Sequence, residues 1–189
     1  MIRKRWKTTM AIILPLALAA ILSGCSTDKE PAETLTAAAG GVTTIGRAGT
    51  QVGNPAPDFQ LPKIDGATVS LADLSGKPAV IVFWASWCSS CKEEAPRINA
   101  LASEYVGRGV RVLGINVKDS LAGAEVGVKE FGIRYPVARD PDASVARAYG
   151  VRGTPTVIFL DRKGVVRYFG NELPNDYARR LDGLLAENI

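Results

Sequence analysis

Ala79-Val80-Ile81-Val82-Phe83-Trp84-Ala85-Ser86-Trp87-Cys88-Ser89-Ser90-Cys91-Lys92-Glu93-Glu94-Ala95-Pro96 decides the reading of this chain. Its first half is an unbroken apolar run with β-branched residues, the pattern of a strand buried on both faces. Its second half turns charged and helix-favouring, and Ala95, Ile98, Leu101, Ala102 and Tyr105 continue it at helical spacing. Cys88 and Cys91 lie at the junction, so the first cysteine falls at a helix N-terminus. Unpaired backbone N–H groups and the helix macrodipole favour an anion there. A thiolate is such an anion and is the reactive form of cysteine. Two thiols three positions apart can also close into a disulfide and reopen.

Upstream, Met1 to Thr9 carries Arg3, Lys4, Arg5 and Lys7 without an acid, and Met10 to Leu22 is almost wholly apolar. A basic segment, a short apolar segment and small residues before Cys25 predict an export signal over 1–24. The apolar run is shorter than a spanning helix requires. Leu22-Ser23-Gly24-Cys25 resembles the bacterial lipobox, which implies a lipid on Cys25 and a domain tethered outside the cytoplasmic membrane. Residues 25–52 are rich in Ala, Gly and Thr and read as a linker. Residues 53–189 are long enough for one domain with a sizeable core.

The chain has 189 residues and a formal net charge of +4. Four of its 23 Lys and Arg precede Cys25, and the remainder match the 19 Asp and Glu. This balance argues against nucleic-acid binding. There are three cysteines and no histidine, which excludes a His-based triad or a His-ligated metal. With Cys25 lipidated, only Cys88 and Cys91 remain as a pair. A static disulfide or half of a metal site would use the same two residues, but a metal needs further soft ligands.

Taken in order, the pattern predicts a hairpin of Phe59–Leu61 and Thr68–Ser70 around Asp65-Gly66, then the central strand. A helix follows from about Ser90 to Gly107, then a strand over Val110–Val117. A helix from Asp119 to about Phe131 is weakened by Gly123 and Gly127. Tyr135–Ala138 is extended, and Asp140-Pro141-Asp142 is expected to cap a helix reaching Tyr149, with proline at its first helical position. Val157–Leu160 and Val165–Phe169 form a second hairpin, and a last helix puts Tyr177, Leu181, Leu184 and Leu185 on one face. Alternating strands and helices that end in a hairpin predict an α/β fold with a mixed sheet flanked by helices.

Trp84-Ala85-Ser86-Trp87-Cys88-x-x-Cys91, Pro96, and the distant Thr154-Pro155 together resemble the thioredoxin superfamily. The Pro55-Ala56-Pro57-Asp58-Phe59 opening, the extra segment before Thr154-Pro155 and the lipoprotein-type signal narrow this to TlpA/ResA-like thiol–disulfide oxidoreductases. The resemblance spans Gly53 to about Leu185 and implies a thioredoxin-like fold with an N-terminal β-hairpin and a central insertion. It makes Cys88 the exposed nucleophile and Cys91 the shielded resolving thiol, with no cofactor beyond their disulfide. The buried acid that thioredoxins carry six residues before the first cysteine is replaced by Val82. The resemblance instead puts an acid at Glu94, on the face of Cys91, where poor solvation would let it exchange a proton with that thiol. It also implies a cis bond before Pro155, with the Thr154 backbone beside Cys88 and open to a substrate strand. Trp84 is expected in the core and Trp87 as an apolar contact for partner proteins.

The implied partners are protein disulfides, among them apocytochrome c, a membrane dithiol carrier of the CcdA/DsbD kind, and the membrane itself. The first reading is a reductase of protein disulfides, and an oxidase of secreted proteins is the alternative. Ser89-Ser90 matches neither the Glu-Pro spacer of reducing relatives nor the Gly-Pro of thioredoxin. A redox-inert binding or chaperone module and a peroxidase are further readings. The Pro-Ala-Pro-Asp-Phe opening also occurs in peroxiredoxins, but their Pro-x-x-x-Thr-x-x-Cys signature is absent, since Ile81 and Ala85 hold its proline and threonine positions.

Overall fold

A computed structural model describes residues 50–187. The export signal, Cys25 and most of the linker lie outside the described residues.

Strand β3 (Ala79–Trp84) is the centre of the molecule, with all six residues buried. It pairs in parallel with β4 (Arg111–Val117) and antiparallel with β6 (Thr156–Leu160). Outside these lie β5 (Val137–Asp140), parallel to β4, and β7 (Val166–Gly170), antiparallel to β6. The five-stranded sheet therefore runs β5-β4-β3-β6-β7. Helix α1 (Ser89–Tyr105) connects β3 to β4 and contains Pro96. The parallel pairs need crossover connections, and α1 and α2 (Leu121–Glu130) supply them.

Because successive side chains of a strand point to opposite faces, β3 feeds two cores. Val80, Val82 and Trp84 pack with Ile98, Leu101 and Tyr105 of α1 and with Leu181 and Leu184 of α4 (Tyr177–Ala186). Ala79, Ile81 and Phe83 pack with Tyr149, with Val145 of α3 (Ser144–Ala148), and with the small hairpin of β1 (Gln60–Pro62) and β2 (Thr68–Ser70). The hairpin forms its own two-stranded sheet, tied to β5 by the Lys63–Ala138 bridge. The mixed sheet flanked by helices, the N-terminal hairpin and the segment α2–β5–α3 between β4 and β6 match the thioredoxin-like expectation.

Two local readings need correction. Pro141 does not open a helix: α3 begins at Ser144, after Ala143 in a left-handed conformation (φ 58°). Asp140 ends β5 fully buried, and its carboxylate accepts from Ser144 Oγ and from the N–H groups of Val145 and Ala146. The cap is therefore reached from the end of the strand, across a turn. Gly127 is not merely a weak helix residue. A Cβ there would stand 2.7 Å from Cζ3 of Trp84 and 2.9 Å from Cβ of Ser86. Glycine is what lets α2 lie against the strand that carries the site.

Candidate active site

The β3–α1 junction carries the two cysteines. Cys88 is the N-cap of α1 in extended conformation, and its Sγ accepts the N–H of Cys91 at 3.1 Å. N-cap acceptors normally are oxygen atoms satisfying one of the unpaired donors of the first turn; here sulfur does so. The same N–H favours negative charge on Cys88 when the pair is open. Cys88 and Cys91 are joined by a disulfide, with their Cα atoms 5.2 Å apart.

Cys88 is only 7% exposed and Cys91 4%. The expectation of an exposed first thiol beside a shielded second one is thus not met in this oxidised state. Cys88 is covered from the other side of the site: its Sγ lies 3.3 Å from the carbonyl oxygen of Thr154 and 3.4 Å from Ser90 Oγ. In the disulfide the sulfur has no proton, so the carbonyl is only a neighbour; a reduced thiol could donate to it. The Ser90 hydroxyl also reaches that carbonyl, at 3.4 Å. The Thr154–Pro155 peptide bond is cis, as expected; Pro155 is buried while Thr154 stays partly accessible.

Trp84 is 2% exposed and stacks at a tilt on Phe131, whereas Trp87 is 66% exposed. Both placements agree with expectation. Glu94 is mostly covered, its side chain 16% exposed, and its Oε1 accepts from Arg97 Nη1 at 2.9 Å and from the Leu173 N–H at 3.0 Å. The expected poorly solvated carboxyl therefore has a counter-ion and a backbone donor. Glu94, Cys91, Val82, Tyr135 and Pro155 together line a cavity of about 10 Å³, near the space one water needs. Val82 is one of the apolar residues of this lining, and Glu94, from α1, supplies its carboxylate.

One positioning residue was not evident in the sequence. Asp119 Oδ2 accepts from the Ser86 N–H and from Asn116 Nδ2, each at 2.7 Å, and Oδ1 accepts from Ser86 Oγ at 2.9 Å. This carboxylate fastens the Ser86-Trp87 turn to the end of β4, and so fixes where Cys88 starts its helix. The only available signal was an acid at the end of a strand, which is too common to point to a partner 33 residues away. Among the described residues, no group of three or more His, Cys, Asp or Glu could hold a metal ion, and no helix is long and apolar enough to cross a membrane.

A dithiol at a strand-to-helix junction, faced by a cis-proline loop on an α/β sheet of this order, defines a thioredoxin-fold redox protein. Residues 52–169 match the AhpC/TSA family, and the chain belongs to that family. It is 43% identical over 118 residues to the thiol:disulfide interchange protein DsbE of Pseudomonas fluorescens biotype C, a match over 61% of this chain and 64% of that protein. With the thiol-disulfide oxidoreductase ResA of Geobacillus thermodenitrificans it shares 36% over 116 residues, covering 61% and 67%. A Chlorobium tepidum structure described as a DsbE thiol:disulfide interchange protein superposes with a TM-score of 0.66 at 31% identity, over 72% of this chain and 99% of that one. Within the family, the chain is of the DsbE/ResA thiol–disulfide oxidoreductase type. Ile81 and Ala85, where the peroxidatic signature would require proline and threonine, are both fully buried hydrocarbon.

Proposed function

We propose that the protein is tethered outside the cytoplasmic membrane by a lipid on Cys25 and reduces disulfides in partner proteins. The observation that carries the exchange chemistry is the Cys88–Cys91 disulfide at the N-terminus of α1, against the Thr154 carbonyl. In the reduced protein the Cys88 thiolate attacks one sulfur of a substrate disulfide, and the other substrate sulfur leaves as a thiolate. Cys91, deprotonated, then attacks Cys88 in the mixed disulfide, closing the Cys88–Cys91 bond and releasing the second substrate thiol. Two electrons pass from the dithiol to the substrate, and no cofactor besides the disulfide takes part. Glu94, on the cavity shared with Cys91, is the acceptor of the Cys91 proton in this reading. Trp87 and the Thr154-Pro155 loop hold the substrate strand. The pair is recharged by a membrane dithiol carrier of the CcdA/DsbD kind, and apocytochrome c is among the substrates.

One observation favours the opposite direction. The Ser90 hydroxyl beside Cys88 would stabilise a thiolate, hence the reduced form, and so make the pair more oxidising. Equilibrating the Cys88–Cys91 couple with graded dithiol buffers decides between them. A potential near the thioredoxin value of about −270 mV supports the reductase; one near the DsbA value of about −120 mV makes the protein an oxidase of secreted chains.

A further inference from the structure

The Gly153-Thr154 backbone is a ridge between two open grooves, and the grooves carry opposite charge. On one side Trp87, Val117, Lys118, Arg147, Val151 and Arg152 line about 210 Å³, with no carboxylate among the described residues of the lining. On the other, Ser90, Glu93, Glu94 and Glu172 line about 440 Å³, with no cation among the described residues of the lining. Among the described residues, Lys118, Arg147, Arg152, Glu93 and Glu172 form no ion pair; only Glu94 is paired, with Arg97. The contrast therefore survives local neutralisation. Lys118 and Ala143, both in the wall of the basic groove, are the non-glycine residues with positive φ (58° each) among the described residues. Such conformations are uncommon outside glycine and gather at ligand-holding sites.

We propose that this cleft selects substrates by charge polarity: it takes an extended segment with basic residues before its reacting cysteine and acidic residues after it. The inference rests on the reading that Cys88 exchanges disulfides, and it adds the class of segment engaged. Arg152 lines only the basic groove and Pro155 only the acidic one, so the charge changes sign along the backbone from Arg152 to Pro155. In this proposal the segment pairs antiparallel with that backbone, which puts the residues after its cysteine over Arg152, Arg147 and Lys118. Those before it lie over Glu93 and Glu172. Solvent-accessible charges of this kind act mainly on encounter and register, so the selection appears in rates rather than in the final equilibrium.

The test uses the reduced full chain in detergent and three cysteine peptides, each linked through its sulfur to thionitrobenzoate. One has two lysines before and two glutamates after the cysteine, one has the reverse order, and one is uncharged. Cys88 attacks the peptide sulfur and releases the coloured thionitrobenzoate thiolate; Cys91 then displaces the peptide thiol and closes the protein disulfide. The lysine-first peptide should react about tenfold faster than the reversed one at low salt. The ratio should collapse towards one in 1 M salt, where the screening length is about 3 Å, and in a variant combining R147Q and R152Q. Equal rates for the two charged peptides, or faster reaction of the reversed one, would overturn the polarity while leaving disulfide exchange standing. No release from any peptide, the uncharged one included, would overturn the exchange reading and this inference with it.

Discussion

The hydroxyl of Ser90 stands 3.4 Å from Cys88 Sγ and equally far from the Thr154 carbonyl, so the spacer of the dithiol touches both the reacting sulfur and the substrate ridge. A proline at this position would have no donor to offer. Ser90→Ala should therefore raise the Cys88 thiol pKa and move the potential of the pair about 30 mV more negative, since that shift corresponds to about 1.4 kcal/mol, the low end for a hydrogen bond to a charged group. Potentials of parent and variant in the same dithiol buffers provide the check. An unchanged potential would remove Ser90 from the redox poise.

Glu94→Gln keeps an oxygen for the Leu173 N–H but gives up the ion pair with Arg97 and the proton acceptor on the Cys91 cavity. The release of substrate from the mixed disulfide should slow roughly tenfold or more near neutral pH, within the range of one general base. Its pH–rate profile should also change shape. Arg97→Gln provides the contrast, because it removes the same ion pair and leaves the carboxylate. Stopped-flow alkylation of Cys91 across pH 5–9 (a range chosen as about two units either side of neutrality) distinguishes them. Superimposable profiles for Glu94→Gln and the parent would exclude the proton role.

Gly127→Ala improves helix propensity by about 1 kcal/mol in isolation. In this packing the added methyl meets the rings of Trp84 and the Cβ of Ser86 closer than van der Waals contact. Overpacking costs about 1–3 kcal/mol, so the variant should unfold at lower urea than the parent. An increase in urea midpoint would show that α2 can move away from β3 at little cost.

Tyr135 and Tyr149 are held well above the usual tyrosine range, Tyr135 by burial alone and Tyr149 by burial and the nearby Asp58. Above about pH 10 the unfolded chain loses these protons while the folded one keeps them. Stability is thus fully present below the unfolded pKa and falls as pH rises, by about 1.4 kcal/mol per unit for each group. Tyr135→Phe should make the alkaline slope shallower by one such step. Urea titrations at several alkaline pH values measure it directly.

The strands and helices were legible because the decisive pattern is local. Six apolar residues running into Cys-x-x-Cys leave few folds open, and the spacing from Ala95 to Tyr105 names the buried face of α1. Cys91 and Glu94 could be placed on one face because three residues make nearly one helical turn. What escaped the sequence depends on distant chain. The burial of Cys88 comes from the Thr154 loop, 66 residues away. Asp119 is an ordinary strand-end acid until the fold brings Ser86 to it. The basic groove brings Lys118, after β4, to Arg147 and Arg152, some thirty residues further along the chain, and no single window of sequence shows all three as a group.

The disulfide closes a loop of four residues within the first turn of one helix. A ring that small removes little freedom from the unfolded chain, about 2 kcal/mol on the loop-entropy estimate, and it joins no two elements of the sheet. The two apolar cores, not the sulfur bridge, keep the chain folded. Opening the bridge therefore leaves the scaffold in place, and the protein can gain and lose two electrons repeatedly without passing through a loosened state exposed to proteolysis.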